Sequence, residues 1–249
     1  MSPAATPAKS GAAGRAAAEA CMASLVCSLA DNKAALGRRY AEWGVSAPTL
    51  ESAVAAAAMA QDEMGQARAT YPVLKALGVE ARDEGLDGGP RRLALLDREL
   101  PDWTAFIAAN LLVDGVLTTF VAACADSTVT QMAQRARKIL QEEGSHRVHA
   151  EAWARRLCRA GGARRAALVA RLEETWEHAG RWTGPTDDPG FRAVLEHGMV
   201  GRDPAAQREQ VRAWLVALLG AEGVAIALPE PADWTRWDAD RRRLEWKGH

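Results

Sequence analysis

Cysteine is scarce and badly spaced for metal or disulfide work. Cys21, Cys27, Cys124 and Cys158 form no CxxC pair and have no histidines at zinc-finger spacing, so neither a metal knuckle nor a disulfide framework is expected. Net charge is nearly absent: 31 Lys and Arg against 32 Asp and Glu leave −1, which gives no electrostatic reason to expect nucleic acid or an acidic membrane as partner. No run reaches the ~18 to 20 consecutive apolar residues of a bilayer-spanning helix, and the start of the chain lacks a basic flank, sustained apolar stretch and cleavage site. A cytoplasmic chain with no membrane partner is the expectation. The GxSxG elbow, the P-loop and the GxGxxG fingerprint are missing too, which removes the commonest hydrolase, nucleotide and dinucleotide sites. Tyr and Phe are rare, at two and three, while Trp is abundant at nine. Scattered Trp read as packing anchors.

What is present, in 249 residues that are 48% hydrophobic and 25% charged, is helix throughout. Residues 1–17 are Ala, Gly, Pro and Ser with a few charges and no apolar periodicity, and read as a flexible leader. From Ala18 to Trp43, Leu25, Leu29, Leu36, Tyr40 and Trp43 recur at helical spacing until Gly44 to Pro48 ends the run. Thr49 then starts a second helix, with Glu51 in its first turn, reaching about Leu77. Gly78 to Pro101 is a long connection holding Gly85, Gly88, Gly89 and Pro90, with one short helical turn around Arg92 to Glu99. Further helices are expected over Trp103 to Ala125, Thr128 to Cys158, Ala163 to Trp182 and Pro204 to Leu219. Nothing reads as strand. A helical pair, a long crossover and a second helical pair make an all-α, ferritin-like four-helix bundle over 18–228, with additional C-terminal helices and a Trp- and Arg-rich tail at 229–249.

Bundles of this plan that bind two irons or two manganese ions take one carboxylate from each of two helices and Glu-x-x-His from each of the others. Glu143 and His146 make one such pair, and the i, i+3 spacing puts both on one helical face. Helix depth can be read by folding the sequence about each turn at ~1.5 Å per residue. About a turn near Ser46, Asp31 lies 15 residues before and Glu63 17 after; about one near Ser127, Asp114 lies 13 before and Glu143 16 after. All four fall at similar height, whereas Glu42 falls ~20 Å away. Asp114 sits inside the apolar run Leu111-Leu112-Val113-Asp114-Gly115-Val116-Leu117, where an unpaired charge is costly, so it needs a metal or an arginine. Gln66 stands three residues after Glu63, where a second histidine would complete the pattern, and is a poorer iron ligand than imidazole. The candidate metal set is therefore Asp31, Glu63, Gln66, Asp114, Glu143 and His146, with His149 and Arg68 as groups behind the ligands. The competing reading is a buried polar network of the same acids with Arg38, Arg39 or Arg68 and no metal. No catalytic residue is assigned. The basic stretches Arg155-Arg156, Arg164-Arg165 and Arg241-Arg242-Arg243 read as solvated faces rather than a phosphate site.

The block from Ala30-Asp31-Asn32-Lys33 through Leu36-Gly37-Arg38-Arg39-Tyr40-Ala41-Glu42-Trp43, then Ala47-Pro48-Thr49-Leu50-Glu51 and Asp62-Glu63-Met64-Gly65-Gln66-Ala67-Arg68, resembles the ferritin-like family of phenylacetate catabolism. Val113-Asp114 and the segment from Glu143 through Trp153 match the second half of that family, so the likeness runs from about Leu29 to Pro229. It is nearest to the structural subunit of phenylacetyl-CoA epoxidase. The resemblance implies a bundle that pairs with a catalytic ferritin-like subunit, which uses a di-iron centre, O₂ and electrons from a separate reductase to epoxidise an aromatic acyl-CoA. Two functions are open on it. One is a di-metal oxygenase or oxidase in its own right, alone or as a homodimer, acting on a small-molecule or acyl-CoA substrate. The other is a non-catalytic scaffold for a separate catalytic subunit.

Overall fold

The computed structural model describes residues 7–80 and 91–245, and for residues 7–12 the backbone alone. Gly85, Gly88, Gly89, Pro90 and Trp246 of the sequence reading lie outside the described residues. The fold is all-α, with the expected helix pairs and crossover.

Helix α1 spans Pro7–Trp43 and begins inside the stretch expected as a leader. Alanine, the best helix former, dominates the added turns, and Ala18 and Met22 just after them are fully buried. Its apolar stripe of Leu25, Leu29, Leu36 and Tyr40 is also fully buried. Helix α2 spans Leu50–Thr70; the Thr49 hydroxyl caps it by accepting from the Ser52 amide at 3.2 Å. The two helices pack so closely that a Cβ on Gly37 would stand 2.6 Å from Met64 Cγ and 3.0 Å from the Ala60 carbonyl oxygen. Here glycine serves close approach.

A short helix α3, Val73–Ala76, follows, and the crossover ends in a 3₁₀ turn at Ala94–Asp97. The end of the crossover is tied to α1: Arg91 N–H donates to Asp31 Oδ2 at 2.5 Å, Leu93 N–H donates to Asn32 Oδ1 at 2.9 Å, and Ser28 Oγ donates to the Arg91 carbonyl at 2.6 Å.

The third expected helix is one rod of three parts: α4 at Trp103–Ala108, a π-helical stretch at Ala109–Asp114, and α5 at Gly115–Ala123. Asp102 caps its start through the Ala105 amide at 2.8 Å. With a mean hydropathy of 1.8 over its best window, this rod could cross a membrane by length and composition, which the search for consecutive apolar residues overlooked. That window is 83% buried in the protein, the mark of a core helix. Helices α6, Thr130–Ala160, and α7, Gly162–Ala179, are separated by Gly161; it and Gly162 both have positive φ, +66° and +50°.

The linker after Pro185 contains an unforeseen helix α8, Pro189–Glu196, capped by Asp188 through the Gly190 amide at 2.8 Å; it packs on α1. Helix α9, Pro204–Gly220, lies against α5 and α6. The tail forms a two-residue hairpin, β1 at Trp237–Asp238 with antiparallel β2 at Arg243–Leu244. Arg242 was expected on a solvated face, yet it is buried, donating to the Thr183 carbonyl at 2.6 Å under the Trp237 ring. The indole pays for the burial through cation–π contact. Many Trp are anchors as expected: Trp182 is fully buried and donates to Ser28 Oγ at 2.8 Å, and Trp176 donates to the Pro229 carbonyl at 2.8 Å.

Gly37→Leu should therefore overpack the α1–α2 contact and cost about 2 kcal/mol or more, read as a lowered denaturant midpoint. Gly65→Leu, where a new Cβ meets nothing within 4 Å, should leave the midpoint nearly unchanged. Equal effects would disprove the close-approach account.

Candidate metal or ion-pair centre

The four long elements each deliver one or two ionisable side chains to a single buried point. Lys33 comes from α1, Glu63 from α2, Asp114 from the end of the π-helical stretch, and Glu143 with His146 from α6. Lys33 is fully buried although lysine is almost never so unless paired. It follows Leu29 by four residues and precedes Leu36 by three, which places it on the apolar stripe of α1. Its ammonium donates to Asp114 Oδ1 at 2.6 Å, Glu143 Oε1 at 2.7 Å and Glu63 Oε1 at 3.0 Å. An ammonium has three protons, and each finds a carboxylate.

His146 closes the cluster from the other side. Its Nδ1 lies 3.3 Å from Asp114 Oδ2, 3.3 Å from Glu63 Oε1 and 3.5 Å from Glu143 Oε2, and its Nε2 reaches the partly exposed Asp62 at 3.2 Å. Burial would strip the proton from this imidazole, but the hydrogen bonds to Asp114 and Glu63 outweigh it and raise the pKa to about 11. Burial works against the Lys33 ammonium in the same way, and the three carboxylates hold its pKa well above the ordinary lysine value. Asp114 is driven upward by burial, but Lys33 and His146 together hold it well below the usual carboxylate range. Glu63 goes the other way: burial and the neighbouring Asp114 charge lift it to about 8, only partly offset by Lys33. Glu143 is raised by burial and by Asp114. Three acids and two cations thus reach charge balance when Glu63 keeps its proton, which avoids an uncompensated buried charge.

Glu63, Asp114, Glu143 and His146 are brought together as the depth arithmetic expected, and their candidate ligand atoms all lie within 4.8 Å of one another. By donor type and spacing this cluster could hold a metal ion. The other two members of the candidate set turn elsewhere. Asp31 accepts from Tyr71 Oη at 2.6 Å and from Arg91 N–H, while Gln66 Nε2 donates to Glu142 Oε2 at 3.3 Å. His149 stands edge-on to Trp103 and Phe106 at 6.0 and 6.3 Å between ring centres, its pKa lowered by burial and by His146. Arg68 is exposed, and Arg38 and Arg39 are half-buried, with Arg39 paired to Glu42 at 3.0 Å. The polar-network reading expected Arg38, Arg39 or Arg68 beside these acids; the cation that meets them is Lys33. Sequence reasoning missed this residue, although a lone lysine on an apolar helical stripe was its signal.

Residues 8–247 match the family model described as phenylacetic acid catabolic protein, and the chain belongs to that family. No curated protein matches it.

Two of the raised groups, Glu63 and His146, give stability a sign with pH. In the unfolded chain Glu63 and His146 titrate near their ordinary 4.5 and 6.5; in the fold they hold protons to about 8 and about 11. The folded state thus binds more protons than the unfolded one from about pH 4.5 upward, and stability falls as pH rises through both windows. Asp114 acts oppositely, adding stability above its ordinary 3.8 that is lost on acidification. Denaturant melts should show a loss of more than about 2 kcal/mol between pH 6.5 and 10, with the slope much reduced in His146→Gln. A flat profile in the native protein would contradict the assignment.

Proposed function

We propose that this chain is a metal-independent, non-catalytic ferritin-like subunit of a phenylacetate-type oxygenase assembly, in which the Lys33 ammonium takes the place a metal would occupy. The observation that carries the reading is the triple contact of Lys33 with Glu63, Asp114 and Glu143 at 2.6 to 3.0 Å. Those are the carboxylates a metal would need, and one oxygen of each already faces a cation the chain itself supplies. Asp31, which would help complete a two-metal set, is engaged with Tyr71 and the Arg91 amide, whereas Gln66 uses only its amide nitrogen, on Glu142. The residues present therefore fit a single internal ammonium better than two metal ions. Exposed apolar side chains Val45, Leu50 and Val54 at the α1–α2 corner support contact with a catalytic partner of the same family, since Leu50 and Val54 are one turn apart on one face.

The donor set found within 4.8 Å favours a second reading, a chain that binds metal itself. In that case Glu63, Asp114, Glu143 and His146 would hold the ion, which would supply O₂ activation. Lys33 would have to withdraw from all three carboxylates first, at the cost of a buried charge without partners.

The deciding measurement is metal content after anaerobic loading of the purified chain with Fe(II) and desalting. The expected result is far less than one metal per chain, with the chain fully folded. Lys33→Met should unfold at markedly lower denaturant, losing about 3 to 5 kcal/mol, because three carboxylates lose their cation. About two metals per chain, absent in Glu143→Ala, would overturn the scaffold reading.

A further inference from the structure

The segment from Pro229 to Glu245 lies across the body of the bundle but stands apart from its apolar core. Leu244 is buried and Trp234 and Trp237 are half-buried, yet none of the three belongs to that core or packs against it. The ties to the body are polar and pass through arginines. Arg208 Nε of α9 donates to Glu230 at 2.7 Å, Arg236 pairs with Glu177 of α7 at 3.0 Å, and Arg243 pairs with Asp97 of the crossover at 3.0 Å. Arg91, at the end of the crossover, donates from its side chain to the Asp240 carbonyl at 2.7 Å and from its backbone to Asp31 of α1. Arg242 is held against its own preferences. It is the one non-glycine residue with positive φ among those described, at +52°, where a side chain crowds the backbone. Its guanidinium is 3% exposed, forms no ion pair among the described residues, and leaves Nε buried without a hydrogen-bond partner; the Thr183 carbonyl and the Trp237 ring 5.4 Å away retain it. A buried cation with no acid in contact works against closure, so the closed tail is stabilised by a small margin.

We propose that residues 229–245 are a reversible strap, which opens as one unit while the bundle stays folded and which, when closed, fastens the end of the crossover onto α1. Three features carry this. Segments with few core contacts and many partly exposed polar ties open locally at a lower free energy than the core does. The tail and the crossover end share their ties: Arg243 reaches Asp97, and Arg91 joins Asp240 to Asp31, so loss of the tail removes two of the bonds that hold the crossover down. The strap also ends on a sensitive place, because Asp31 lies two residues from Lys33 on α1 and the neighbouring Asn32 accepts from the Leu93 amide of the same crossover. Opening thus frees the crossover beside the stretch of α1 that carries the buried ammonium. The inference goes beyond the scaffold role and does not rest on it, since the strap would work in the same way with or without metal in the chain.

Hydrogen–deuterium exchange of the full chain, read by mass spectrometry, tests it through peptides from the tail (229–245), the crossover end (91–100) and α6 (130–160). The tail and the crossover end should be protected at least tenfold less than α6. Raising NaCl to about 0.5 M screens the partly exposed pairs and should speed exchange in both at least threefold, with α6 unchanged. Arg243→Gln and Arg91→Met, each of which cuts one shared tie, should do the same at low salt. Tail protection equal to that of α6, which would mean opening only by global unfolding, would overturn the proposal. So would indifference to salt, or a tail that speeds up without the crossover end. If a variant speeds α6 as well, it has weakened the whole fold, and the salt comparison on the native chain decides alone. Neither metal nor partner is read in this experiment, so its failure is separate from failure of the scaffold reading.

Discussion

The contact between the Lys33 ammonium and three carboxylates is the constraint on which the bundle depends. It joins α1, α2, the broken third rod and α6 at one buried point, and every partner is held by a different segment of chain. Such a cluster is not cheap stability: taking five ionisable groups out of water costs several kcal/mol each, which their mutual attraction only roughly repays. What it supplies is specificity of register. A one-turn slip of α2 against α1 would take Glu63 away from Lys33 and His146, leaving the ammonium one acceptor short and the Glu63 carboxyl without its partners in an apolar interior. Apolar contacts alone, made largely by interchangeable Ala and Leu along α1 and α2, would not punish that slip so severely.

Much of this was legible before any coordinates. Helix depth, counted from the turns, placed Glu63, Asp114 and Glu143 at one level, and the i, i+3 spacing put His146 beside Glu143. What depth does not carry is rotation about the helix axis. Asp31 and Lys33 differ by only about 3 Å in height, but two residues turn an α-helix by about 200°, so when Lys33 faces the carboxylates Asp31 faces away. It meets Tyr71 and the returning crossover instead. The apolar stripe of Leu29, Leu36 and Tyr40 fixes that rotation, and Lys33 lies on it while Asp31 does not. A search for ligands alone passes over a lysine for chemical reasons, although any buried set of acids demands a cation of some kind.

The π-helical stretch could not have been read from sequence by the same rules. Its residues, Ala109 to Asp114, are ordinary apolar helix formers apart from Asn110 and Asp114. A wider turn leaves backbone hydrogen bonds poorer than in an α-helix, and such turns are retained mostly where they aim a side chain. Here the stretch begins beside one unusual buried polar residue and ends on another: Asn110 and Asp114, both on the wall of a cavity of about 300 Å³ between α5, α6 and α9, with Asp114 also facing Lys33. The local departure from regular helix is thus where the ion cluster and the cavity share a wall.

That shared wall ties the choice of cation to the character of the cavity. One ammonium and one imidazolium set against three carboxylates, with a proton on Glu63, leave the cluster near neutral. On the reading proposed above, the internal lysine also separates folding from metal supply. A bundle whose four acid-bearing segments are drawn together by a metal folds only as far as metal is available, because binding energy there is folding energy. With its cation covalently attached to α1, this chain carries the organising charge at an effective concentration no free ion matches, and its surface can form before any partner has been loaded.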